Sequence, residues 1–198
     1  MLDRVTGTLA AMAVCIAGAV VYLAVGGGAA DPLALHLETV GAAITPAGEA
    51  VPLRVVAPGG TFSEGLYAIG DDRLRIRVAE TGVEGAQMAE QERARILGLF
   101  EERQAPYPGA LSNALRCPEA LRPAELPDRA GAVFLLSLFA NDRMAFGACA
   151  EDLLRYRATV GAFVDRAGSR LVRVEYFEPK EAEPRGPDTV RSFRWSSP

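Results

Sequence analysis

The chain has 198 residues, 23% of them charged and 49% hydrophobic, with a formal net charge of −4. That balance argues against nucleic acid and against adsorption to anionic lipid, since both need a basic patch. Lys180 is the only Lys among 21 basic residues, which reads as codon bias in a GC-rich bacterial genome and not as phosphate recognition.

Residues Val5 to Val25 run without a single charge. A hydrocarbon core of about 30 Å needs roughly 20 such residues as a helix. Arg4 precedes the run and the next Arg is Arg54, so the positive-inside rule predicts a cytoplasmic N-terminus (1–4), a transmembrane helix (5–25) and an extracytoplasmic remainder. A cleaved signal peptide fits less well, because its apolar region is only about 7–15 residues. A lipoprotein signal at Cys15 fails, because Val14 is a poor residue before an acylated Cys and the run continues beyond it. The preferred reading is an uncleaved anchor in the bacterial inner membrane. Gly7, Ala11, Cys15 and Ala19 are spaced by four and share one helix face. Small residues at that spacing let a second transmembrane helix approach closely.

A Gly-rich linker, 26–32, comes after the anchor. Leu33, Leu35 and Leu37 then alternate with other residues, a strand signal. Leu53 to Ala57 reads as a second short strand, stopped by Pro58 and two glycines. Arg73 to Val78 alternates again, with Leu74, Ile76 and Val78 inward. Arg73, Arg75 and Arg77 are expected outward as a solvated row beside Asp71 and Asp72. Thr81 and Glu84 form a capping box, predicting an amphipathic helix to about Arg103. Five prolines from Pro106 to Pro127 mark a long loop of the kind that often carries function.

Ala132 to Phe139 is almost continuously apolar, as expected of a strand covered on both faces. Asn141 and Asp142 predict a turn. Further strands are expected at 144–149, 156–164 and 171–177, joined as an antiparallel meander. The extracytoplasmic domain, 33–178, is therefore expected to be α+β: an antiparallel β-sheet with at least one packed helix. Residues 179–198 read as an extended C-terminal tail whose Phe193 and Trp195 have the composition of a partner contact. The alternative is an edge strand added to the chain's own domain.

Cys117 and Cys149 lie in what should be an oxidising compartment and are expected to form a disulfide. A loop of about 30 residues closed this way is worth roughly 3–4 kcal/mol. A CxxC motif is absent, which leaves a redox role unsupported.

Signals of catalysis are sparse. His36 is the only histidine, expected on the polar side of the first strand, which removes most zinc sites and makes a Ser-His-Asp triad improbable. There is no GxSxG elbow, phosphate loop or haem-attachment motif. Glu101–Glu102 and Glu151–Asp152 are adjacent pairs, which diverge on a helix and do not share a site. The expectation is accordingly no catalytic residue, no cofactor and no metal. The leading functional reading is a non-catalytic single-pass accessory subunit or assembly factor of a larger membrane protein complex. Its partners would be other membrane subunits and the bilayer. The alternative is a membrane-tethered periplasmic enzyme or ligand-binding domain, with a site between the helix and the Pro-rich loop that uses Tyr107, Arg116 and Glu119.

Overall fold

A computed structural model describes residues 31–60, 62–80, 85–104, 131–147, 154–165 and 167–196. The chain divides into two compact units, Met1–Asp31 and Pro32–Pro198. The expected transmembrane helix with Gly7, Ala11, Cys15 and Ala19, the capping box and the Pro-rich loop lie outside the described residues. So do Cys117 and Cys149. Among the described residues, no helix is long and apolar enough to cross a membrane.

The second unit is α+β. Its elements are helix α1 (Pro32–Glu38), strands β1 (Ala42–Ala43), β2 (Val51–Val56), β3 (Glu64–Ile69) and β4 (Asp72–Glu80), and helix α2 (Gly85–Gln104). Strands β5 (Ala132–Ala140), β6 (Phe146–Gly147), β7 (Tyr156–Val164) and β8 (Arg170–Pro179) come next, then helix α3 (Gly186–Arg191) and strand β9 (Arg194–Trp195). Seven strands make one antiparallel sheet in the order β2-β3-β4-β8-β7-β5-β6, and β1 pairs β9 separately. The order is a meander only in part. The late strand β8 inserts between β4 and β7 and takes the centre.

The strand residues explain that position. In β8, Val172, Val174 and Tyr176 enter one core, while Leu171 and Phe177 enter the other. A strand apolar on both faces must be covered on both. The continuously apolar β5 behaves as expected, with Leu135 on one side and Phe134, Leu136 and Leu138 on the other. The first core packs under α1 and α3, the second under α2. A two-residue reversal links β3 to β4. Gly70, at φ 59°, takes the first of two loop positions between Ile69 and Asp72, where a type II′ turn demands a positive φ.

Three expectations are corrected. Leu33 to Glu38 is a helix, not a strand. Leu33 and Leu37 share a face under either geometry, being four apart, so the pattern is degenerate. Pro32 at the first helical position and the outward Leu35 decide for helix. Second, of the expected tail 179–198, the described residues to 196 are not extended: they hold α3 and β9. Phe193 is fully buried, stacked on Phe163 with ring centroids 4.1 Å apart, and meets Trp195 edge-on at 5.3 Å. The Trp195 indole N–H donates to the Val164 carbonyl at 3.0 Å. Phe193 and Trp195 therefore serve the chain's own core and edge pairing. Third, the Arg row of β4 is not uniformly solvated: Arg75 is buried against Glu175, while Arg73 and Arg77 stay partly exposed.

Candidate functional site

Strand alternation puts Arg73, Arg75 and Arg77 on the α2 side of the sheet, opposite Ala68, Leu66 and Glu64 of β3. Across the other edge of β4, Arg75 faces Glu175 and Arg77 faces Arg173. Such pairs are direct neighbours on one face of an antiparallel ladder. The helix α2 then lowers Glu92 and Arg95 onto this charged band. The result is a cluster of four arginines and three glutamates under a helix.

Glu175, fully buried, accepts from Arg75 and forms an ion pair with Arg173. Arg173 also donates to Glu92. Arg95 holds Glu92 in a two-pronged arrangement, at 2.9 Å through Nε and 2.7 Å through Nη2. Burial alone would raise the Glu92 carboxyl. The hydrogen bond from Arg95 and the charges of Arg173, Arg95 and Arg77 outweigh it and hold the group below its ordinary value. Burial pulls the Arg173 guanidinium down, partly offset by Glu175 and Glu92. Arg75 and Arg173 also lie over the rings of Phe177 and Phe146, at 5.2 and 5.5 Å. Cations seated this way keep some electrostatic compensation in a dry environment.

Beside the cluster a groove of about 640 Å³ opens between α2 and the sheet. Arg77, Arg95 and Arg173 line it together with Glu64 and Glu92, and Ala79, Met88 and Leu171 make its apolar side. Arg77 stands at the mouth. Its Nε lies 3.6 Å from Glu64 Oε2 and has no hydrogen-bond partner among the described residues.

A second polar group lies on the opposite face and is structural. Asp72 is fully buried, accepting from the Tyr176 hydroxyl and, at 3.0 Å, from Arg185. Glu178 accepts from Arg157 at 2.8 Å and from the amides of Arg185 and Gly186 at 2.6 and 3.0 Å. Two carboxylates thus tie the start of α3 to the sheet. Burial raises the Tyr176 phenol well above its ordinary value, and Asp72 adds to the effect.

At the far edge, β2 is the terminal strand of the sheet. Val51 is 52% exposed and Leu53 54%, and Leu35 on the neighbouring α1 is 49% exposed.

His36 is not a strand residue. It sits on α1, its ring stacked on Phe62 at 5.3 Å and its Nδ1 2.6 Å from the Tyr67 hydroxyl. Among the described residues no group of three His, Cys, Asp or Glu is placed to hold a metal ion. Tyr107, Arg116, Glu119 and the pair Glu151–Asp152 fall outside the described residues; Glu101 and Glu102 belong to the last turn of α2. Sequence reasoning singles out the Arg row but misses Glu92, Arg95, Arg173 and Glu175. A signal exists: Arg173 and Glu175 interrupt the otherwise apolar β8, and a charged pair in a two-sided strand must find partners.

Comparison with known families, with curated proteins and with solved structures finds no match to this chain.

Proposed function

We propose that this chain is a membrane-anchored, non-catalytic accessory subunit or assembly factor of a larger bacterial membrane protein complex. Its folded domain meets a partner subunit's extracytoplasmic surface through the free edge at β2. The observation that carries this reading is the exposure of Val51, Leu53 and Leu35 on an edge strand and its neighbouring helix. Edge strands that stay unpartnered are usually blunted by charge or covered. Here Pro52 and a register shift between Pro52 and Arg54 interrupt the edge, yet the apolar side chains beside it remain exposed. Such a surface suits apolar docking better than strand addition along its whole length.

The position of that surface in the sequence supports the same reading. Leu35 lies ten residues beyond Val25, the last residue of the apolar run. A chain held by residues 5–25 in the inner membrane would keep its domain in the periplasm beside other membrane subunits, and the small-residue face of Gly7, Ala11, Cys15 and Ala19 would add a second contact within the bilayer.

Purification from native membranes in mild detergent tests the reading. A stoichiometric partner should co-elute with the intact chain. Leu53→Lys should weaken its retention by about tenfold, equivalent to roughly 1.4 kcal/mol, and Ala11→Leu with Ala19→Leu should do the same. A chain that elutes alone and monomeric overturns the proposal, as does retention that neither change affects.

A further inference from the structure

The docking surface at β2 leaves the groove under α2 unused. At about 640 Å³ the groove falls within the size range of small-molecule sites. Its wall is divided. Ala79 of β4, Met88 of α2 and Leu171 of β8 supply an apolar stretch. Three arginines, Arg77, Arg95 and Arg173, face two glutamates, Glu64 and Glu92, so the lining carries one surplus positive charge. Glu175 does not cancel it, because Arg75 and Arg173 already hold that carboxylate.

The surplus resides on donors with unused capacity. Arg173 is nine-tenths buried, and its Nε has no hydrogen-bond partner among the described residues. Arg77 Nε is likewise without a hydrogen bond, with the Glu64 carboxylate 3.6 Å away. The two side chains are close enough for the charge of Arg77 to lower the Arg173 guanidinium further. Buried Arg173 and half-exposed Arg77 each keep an N–H group without a hydrogen bond, which a bound anion satisfies. Glu64 is likewise held by Arg54 from outside the lining, so the groove is positive on balance, and the two unbonded N–H groups match the two oxygens of one carboxylate. The apolar stretch has no role in binding a small inorganic ion, but it suits a hydrocarbon chain.

We propose that the groove binds an amphiphile with a single carboxylate, its headgroup against Arg77 and Arg173 and its hydrocarbon chain along Ala79, Met88 and Leu171. This rests on the α2 face and not on the β2 edge, so it stands or falls independently of the docking role.

The test uses the full chain in lipid nanodiscs with three photoreactive probes: diazirine-bearing palmitate, the matching palmityl alcohol, and phosphatidylglycerol with the same acyl chain. Palmitate is expected to label peptides containing Met88 or Leu171, and the alcohol about tenfold less, as befits loss of charge-assisted hydrogen bonds. Arg77→Gln, a change at a half-exposed side chain, should lower palmitate labelling by about tenfold. Ala79→Phe, which narrows the groove from β4, should do the same without removing a charge. Leu53→Lys should leave labelling unchanged. Equal labelling by acid and alcohol, stronger labelling by the phospholipid, or indifference to both groove variants overturns the proposal.

Discussion

Glu175 shows how much one side chain can hold. It is fully buried between two arginines that are themselves nearly buried, so its removal strands two cations in a dry layer. Breaking a buried ion pair from one side costs about 3–5 kcal/mol. Glu175→Ala should therefore lower unfolding stability by that amount in a urea titration, whereas Arg54→Ala, at an exposed pair with Glu64, should change it by less than about 1 kcal/mol. Tyr176 makes a different prediction. Its folded phenol titrates above the ordinary value of 10.0, chiefly through burial and then through Asp72. The folded state thus keeps a proton that the unfolded state loses. This contribution is fully present below pH 10 and is lost as pH rises from there toward the folded value. Melting temperature followed into the alkaline range should fall above pH 10 in the parent chain and fall less in Tyr176→Phe. At neutral pH the same variant should be destabilised by about 1–3 kcal/mol, since Asp72 loses a buried partner.

Among the elements, α3 and β7 depend on one close approach. A side chain at Gly161 would place its Cβ 2.6 Å from Val190 Cγ1 and 2.8 Å from both Leu135 and Phe163. The absent side chain is what lets α3 seat on β7. Gly161→Ala should cost about 1–3 kcal/mol by overpacking, read as a lower melting temperature. Amide exchange should accelerate first in α3 and β9. This region is also the hardest to read from sequence. Residues 179–187 are polar and rich in Pro and read as extended, whereas Pro179 ends β8 and Gly186 and Pro187 open α3. The last elements are too short for periodicity to declare itself: α3 has six residues and β9 two. Strand β3 escapes notice for a related reason. Its apolar set, Tyr67 and Ile69, is brief, although the Gly70–Asp71 reversal before the alternating β4 is a usable hairpin signal. By contrast β4, β5, β7, β8 and α2 are legible, because each sustains its period over nine residues or more.

For the whole molecule, two substitutions separate fold from contact. Phe193→Ala removes a fully buried ring that stacks on Phe163 and meets Trp195. It should cost about 3–5 kcal/mol in thermal or chemical unfolding. Leu53→Lys alters an exposed side chain and should leave stability within about 0.5 kcal/mol while weakening partner retention. An opposite pattern would return the C-terminus to the role of a contact and make β2 a structural edge. The sequence by itself determined the α+β class, most of the long strands, the principal helix and a charge-free N-terminal run long enough to span a bilayer. These are local properties, encoded in period and length. Only the tertiary structure decided which face of β4 is covered, where the C-terminal aromatics lie and which charges meet under α2. Each depends on residues far apart in the chain: Arg75 and Glu175 are separated by 100 positions, Asp72 and Tyr176 by 104. Alternation along a strand states which residues share a face, but the partner that arrives over that face determines whether it is wet. Arg73, Arg75 and Arg77 read as one solvated row, yet pairing with β8 buries Arg75 against Glu175 and leaves Arg77 half-exposed.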